Sequence, residues 1–328
     1  MREKKKTRGK ELPLPLLANP VFLKRGLIHI LDETELPFKV KFIKVKDIEE
    51  GAWAIRTMKT RAFGQVLLFY YCMIVICQRL RKEGEENLRK ALREAGQTLE
   101  KTRPTFPFKS FRETIFQWLE EIEGEDIAQR LEARIYLFLE EMKAKRLTRV
   151  KKVAFCLDDR DTILTHCNVS GEMVLIGREA RIQGKEVSFF VTETRPYFQG
   201  SRLTCWELKE EGFSVTLLAD NAVAQAISQG LVDKVIVGSD RYTKEGDLVN
   251  KVGTYQIALV AKEFGVPFYG LVQPQENLPS SSLIPIEERD PQELLTLKGK
   301  KIYPEGVQGF YPAFDITPKA LITKVFPL

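Results

Sequence analysis

Apolar and polar positions follow distinct rhythms along this chain. Residues 20–48 hold LIHILDETELP and then KVKFIKV, whose short apolar runs and alternation predict strands and turns. From residue 49 to 145 the repeat lengthens to that of helices. Ile55 to Leu80 is densely apolar, and SFRE at Ser110–Glu113 has the spacing of a capping box. Between Asp126 and Lys145, Ile127, Leu131, Ile135, Phe138, Leu139 and Met142 recur at helical spacing. A mostly helical domain with short strands is therefore expected over 20–149.

Beyond it the rhythm changes again. VKKVAFCL, TILTHC, VSFFVTE, VTLLAD, KVIVGSD and PFYGLV read as strands; RLTCWELKEEG, NAVAQAISQG and NKVGTYQIALVAKEFG read as helices. Short strands apolar on both faces, separated by amphipathic helices, predict right-handed βαβ units and a mainly parallel, doubly wound sheet. The expected fold class is α/β, with this larger domain over 150–328 and a basic flexible tail over 1–19.

Charge changes the picture little. Six of the 51 basic residues and one of the 45 acidic ones fall in the first ten positions, leaving 45 against 44. The basicity is mostly a tail, so a nucleic-acid partner is not expected. The longest apolar run, Val66–Cys77, has twelve residues, whereas a membrane span needs about 20. No apolar stretch of the secretory kind follows the basic start, so a cytoplasmic protein is expected. The five cysteines form no CxxC pair and there are two histidines, which argues against a zinc site or a disulfide framework.

In open α/β sheets ligands bind beyond the carboxyl ends of the strands. Cys167, Glu193, Asp220 and Asp240 each end an apolar run there. Asp220, directly before a helix, reads equally as a cap. Asp240 lies ten residues before the helix expected at Asn250, too far to cap it. Cys167 reads either as a buried structural thiol or, beside cations, as a thiol of lowered pKa. His166 and Cys205 read as packed residues. Two expected helix starts, Asn250–Thr254 and Gln199–Arg202, would offer free N–H groups to an anion. Neither the triphosphate loop nor the dinucleotide fingerprint is present.

These residues sit in motifs. ILTHCN, ETRPYFQGSRLT, VGSDR, GDLVNKVGTY and PFYG, with ILDETELP, AIRTM, TRPT, IPIEERDP and PAFDITPKALIT, resemble S-methyl-5-thioribose-1-phosphate isomerases from about residue 27 to 324. Wider relatives are ribose-1,5-bisphosphate isomerases and the alpha, beta and delta subunits of initiation factor 2B. The resemblance implies a helical domain on a Rossmann-like one, usually dimeric. It implies an aldose–ketose isomerase of a pentose 1-phosphate needing neither metal nor organic cofactor. Cys167 and Asp240 would be its catalytic pair, which the regulatory relatives lack. Arg61, Arg103, Gln199, Asn250 and Lys251 would form its phosphate site. The sequence also departs from the family. The loop R-G-A-P-A-I-G reads Thr60-Arg61-Ala62-Phe63-Gly64-Gln65-Val66, and Thr192 stands where a carboxylate is usual. A different sugar phosphate, or a non-catalytic regulatory role, remains an alternative.

Overall fold

The computed structural model describes residues 13–103, 106–275, 281–297 and 299–328. Most of the expected tail, and Pro104 and Thr105 of the TRPT motif, lie outside them.

Strands β1 (Val21–Lys24), β2 (Leu27–Leu31) and β3 (Phe42–Val45) form an antiparallel sheet. Helices α1 (Ile48–Arg56), α2 (Phe63–Arg79), α3 (Glu85–Glu100), α4 (Phe108–Glu121) and α5 (Ile127–Phe155) follow. Helix α2 is apolar around most of its girth, and β1, α3 and α5 pack around it. Helix α4 starts at Phe108, with Pro107 before it and no side-chain cap. Ser110 lies inside the helix, and the expected capping box does not form.

The next elements are β4 (Thr162–Thr165), α6 (Glu172–Ile182), β5 (Ser188–Thr192), α7 (Cys205–Glu210), β6 (Ser214–Leu218), α8 (Val223–Ser228) and β7 (Lys234–Gly238). Then come β8 (Arg241–Tyr242), β9 (Leu248–Lys251), α9 (Thr254–Glu263), β10 (Phe268–Val272), α10 (Gln292–Leu295), β11 (Thr296–Leu297), β12 (Lys300–Lys301), β13 (Phe314–Thr317) and β14 (Lys324–Pro327). Six strands form one parallel sheet in the order β14-β10-β7-β4-β5-β6. Helices α6 and α7 cover one face through Met173, Ile176 and Leu208. Helices α8 and α9 cover the other through Ile227, Ile257 and Ala258. The sheet is thus doubly wound, as expected.

Two further expectations fail. VKKVAFCL is the end of α5 and the turn after it, not a strand. Val150, Val153, Ala154 and Leu157 are buried while Lys151, Lys152 and Phe155 are exposed, which is a helical period rather than an alternating one. Helix α5 therefore serves two cores, through Leu131, Ile135 and Leu139 in the first and Val150 and Val153 in the second. Asn250 and Lys251 lie on β9, not at a helix start. Strand β9 pairs antiparallel with β8 and β13, placing Asp315 opposite Asn250 and Phe314 opposite Lys251.

Candidate active site

The sheet order fixes where a site can form. From β4 the chain winds outward through β5 and β6, then returns to the other side of β4 as β7 and β10. The crevice at such a reversal opens beyond the carboxyl ends of the two central strands. Cys167 lies two residues past the end of β4, and Asp240 two past the end of β7. The switch point thus brings the thiol and the carboxyl to one mouth.

Cys167 is held by its backbone. Its N–H donates to Thr194 Oγ1 (3.0 Å), and its carbonyl accepts from Thr204 Oγ1 (2.6 Å). It has a positive φ of +66°, as do Ser170 (+48°) in the same loop and Thr194 (+62°) and Phe198 (+61°) in the loop after β5. Non-glycine residues in this region cost about 1–3 kcal/mol each and persist only where packing over-determines them. Gly200, which opens the turn before α7, is obligatory: a Cβ there would stand 1.9 Å from the Thr192 carbonyl.

Cations ring the pair. Arg61 is gripped by buried Glu33, which accepts from its backbone N (3.1 Å) and its Nε (3.1 Å) and from Thr60 Oγ1 (3.0 Å). Burial works against the Arg61 charge, and Glu33, followed by Cys167, outweighs it. The Gln199 amide, oriented to satisfy both neighbours, accepts from Arg61 Nη1 (3.2 Å) and donates to the Thr194 carbonyl (3.3 Å). Arg103 donates to Gln65 Oε1 (3.1 Å) and lies 3.7 Å from Glu287. Lys251 is 8% exposed, and its ammonium stands 4.6 Å from the Phe314 ring centre. Asn250 donates to Thr254 Oγ1 (3.0 Å).

The charges are mutually tuned. Burial pushes the Asp240 carboxyl up, against the pull of Arg103, Lys251 and Arg61. Burial likewise pushes the Cys167 thiol up; Lys251 and Arg61 oppose this and Asp240 reinforces it. The lowered thiol, one of the two readings the sequence left open, is therefore not found, because desolvation outweighs the cations. Burial lowers Lys251, with Cys167 and Asp240 drawing it back. Cys167, Asp240, Arg61, Arg103 and Lys251 thus share one electrostatic field, with Asn250 beside Lys251 and Gln199 beside Arg61.

At both expected anion-binding helix starts backbone N–H groups already have acceptors. At α9 those of Gly253 (2.7 Å) and Tyr255 (3.1 Å) donate to Asp315 Oδ2, and before α7 those of Ser201 (3.4 Å) and Arg202 (2.9 Å) donate to the Glu193 and Phe198 carbonyls. Asp220 is neither a simple cap nor part of the cation ring. Its two oxygens accept from Thr194 N and Arg195 N, both at 2.7 Å, and so pin the turn that holds Cys167.

The departures from the family have structural answers. Ala62 takes φ +43° and keeps a glycine-like backbone next to Arg61. Phe63 packs under the Arg146 guanidinium at 4.0 Å. Thr192 meets His166 Nδ1 at 2.6 Å, in the place of the usual carboxylate, while His166 Nε2 meets the Val252 carbonyl at 2.9 Å. Sequence reasoning missed Glu33, Gln65, Glu287, Arg289 and Tyr311. Tyr311 is near enough to Cys167 to feel its charge, and Glu287 bears on Asp240. IPIEERDP carried Glu287 and Arg289 as a motif without a role.

Among the described residues no cluster of His, Cys, Asp or Glu could hold a metal ion, and no helix is long and apolar enough to cross a membrane.

The chain matches the Initiation factor 2 subunit family over residues 67–327. It is 37% identical to the methylthioribose-1-phosphate isomerase of Carboxydothermus hydrogenoformans, covering 93% of each chain. It is 35% identical to the enzyme of that name from Thermotoga neapolitana, covering 91% of this chain and 90% of the other. Among solved structures, the 5-methylthioribose 1-phosphate isomerase of Pyrococcus horikoshii OT3 superposes with TM-score 0.84 at 30% identity, over 96% of this chain and 93% of the other. The delta subunit of translation initiation factor eIF-2B from A. fulgidus superposes with TM-score 0.78 at 32% identity, over 94% and 93%. The sheet's switch point and these similarities agree: the chain belongs to the Initiation factor 2 subunit family, in the branch that holds the methylthioribose-1-phosphate isomerases.

Proposed function

We propose that this chain is an aldose–ketose isomerase that converts 5-methylthioribose 1-phosphate to its ketose 1-phosphate, with Cys167 and Asp240 as the catalytic pair. The observation that carries the reading is their convergence at the β4/β7 mouth inside a ring of cations, in a chain so similar to enzymes of that name.

Arg61, Arg103, Gln199, Asn250 and Lys251 would hold the phosphate. A cavity beside Asp240 and Arg103 supports the thioether substrate. Its walls combine Phe106, Val249, Ile284, Ile286 and Phe314 with Arg103 and Arg241, and the apolar part suits a methylthio group.

In an aldose 1-phosphate the anomeric oxygen is esterified, so the ring opens only if its oxygen is protonated as the bond to carbon one breaks. Asp240, shifted toward its acid form by burial, supplies that proton. A hydrogen then moves from carbon two to carbon one, and Asp240 takes the proton of the hydroxyl on carbon two as the ketone forms. In one route Cys167, as thiolate, carries the hydrogen as a proton. In the other it moves as hydride, and Cys167 polarises the centre. The raised thiol supports the second route, because the protonated sulfur is then the working form.

The test is ketose formation across several pentose 1-phosphates in deuterated water. Turnover of the methylthio substrate without solvent label at carbon one is expected. No turnover on any of them by folded protein would leave the regulatory reading, which the likeness to the delta subunit supports.

A further inference from the structure

Against the Cys167 backbone lies a polar cluster that the reaction scheme does not use. Thr204, whose hydroxyl donates to the Cys167 carbonyl, accepts in turn from Asn168 Nδ2 (3.0 Å). The Asn168 amide also donates to Glu207 Oε1 (2.9 Å), and its own oxygen accepts from Ser170 N (3.0 Å). Residues 167–170 are thereby tied to α7. Glu207 is 4% exposed, and its Oε2 is buried with no partner among the described residues. Arg146, the cation nearest in effect, spends its donors on Glu172, Ala18 O and Ser170 O. A bare carboxylate in such a place lacks the partners that buried charge requires.

We infer that Glu207 is a positioning residue for Cys167: as a neutral acid it fixes Asn168 and Thr204, and through them the strained backbone that carries the thiol. The effect on turnover rests on the catalytic reading of Cys167; the effect on the thiol itself does not.

The charged groups around Glu207 agree with a neutral acid. Burial is the largest influence and pushes it up to about 8. The Asn168 hydrogen bond and Arg146 pull it down, while Glu33 and Glu211 push it further up. Above that pH an ionised Glu207 places negative charge against the Cys167 loop and disfavours the thiolate.

The experiment is iodoacetamide labelling of Cys167 in the substrate-free protein across about pH 6–10, read by peptide mass spectrometry. Glu207→Gln keeps the acceptor for Asn168 and cannot ionise. It should reach half-maximal labelling about half a pH unit or more below wild type. Glu207→Leu removes the acceptor. It should lower kcat about tenfold with KM within about twofold, and the Gln variant should restore kcat at neutral pH. A Gln labelling curve that superimposes on wild type, or a Leu variant turning over at the wild-type rate, overturns the inference. If the Leu variant does not fold, the Gln curve alone decides. Absence of turnover in wild type would sink the isomerase reading while leaving the labelling comparison intact.

Discussion

Strands β4 and β7 lie side by side, and their two ends treat charge in opposite ways. At the amino ends Lys234 Nζ lies 2.7 Å from Asp161 and 2.8 Å from Asp158, and Asp233 accepts from Thr162 N (2.8 Å). Each of these four charged side chains has a hydrogen-bonded partner. At the carboxyl ends Asp240 accepts no hydrogen bond among the described residues, and Lys251 meets only an aromatic face. Burial opposes the Lys234 charge, yet Asp158 and Asp161 hold it above its ordinary value. Burial wins at Asp240 and Lys251. One end uses its charges to hold the fold. The other leaves them incompletely paired, as a site awaiting an anionic ligand would.

Substitutions should separate the two ends. Cys167→Ser should lower kcat by about a thousandfold with little change in stability, as loss of a positioned catalytic group does; steady-state kinetics and thermal unfolding check this. Lys251→Ala should act on binding, raising KM about tenfold to a hundredfold, read from initial rates against substrate concentration. Lys234→Met should do the reverse of both. It strands the buried Asp161 carboxylate and should cost about 3 kcal/mol in urea unfolding, while kcat stays near wild type. The pH dependence has the matching sign. A raised lysine stabilises fully below its unfolded value of 10.5 and loses that contribution as pH rises through its folded value. Wild type should therefore lose stability at alkaline pH where the Met variant does not. The smallest effect belongs to Ala62→Gly, which relieves a φ of +43° and should gain or lose less than about 1 kcal/mol.

Both ends were unequally legible in the sequence. Cys167 and Asp240 each close a short apolar run, so their place at strand mouths followed from periodicity, and the family's motifs named their neighbours. The run VKKVAFCL misled because eight residues that open on a valine and close on a leucine fit a strand as well as two turns of helix; only its burial pattern decides. LVNK was hidden because a four-residue strand beside a strong helix pattern leaves no periodic signal of its own, and its partners, β8 and β13, are found only in the fold. Glu33, Gln65 and Tyr311 were missed for a related reason. Glu33 and Gln65 sit 28 and 38 residues from the arginines they grip, and no local pattern marks a long-range partner. Gln65 also shows that the altered loop is not merely degraded, since it supplies the acceptor that orients Arg103.

The most direct measurement is Asp240→Asn, assayed for turnover of 5-methylthioribose 1-phosphate alongside its urea midpoint. A carboxyl raised in the folded state costs stability increasingly as pH climbs above its unfolded value of 3.8, so at neutral pH its neutral replacement relieves that cost. The variant should be at least as stable as wild type and about a thousandfold slower. A variant that turns over at the wild-type rate, or one that loses activity only because it has lost its fold, contradicts the account.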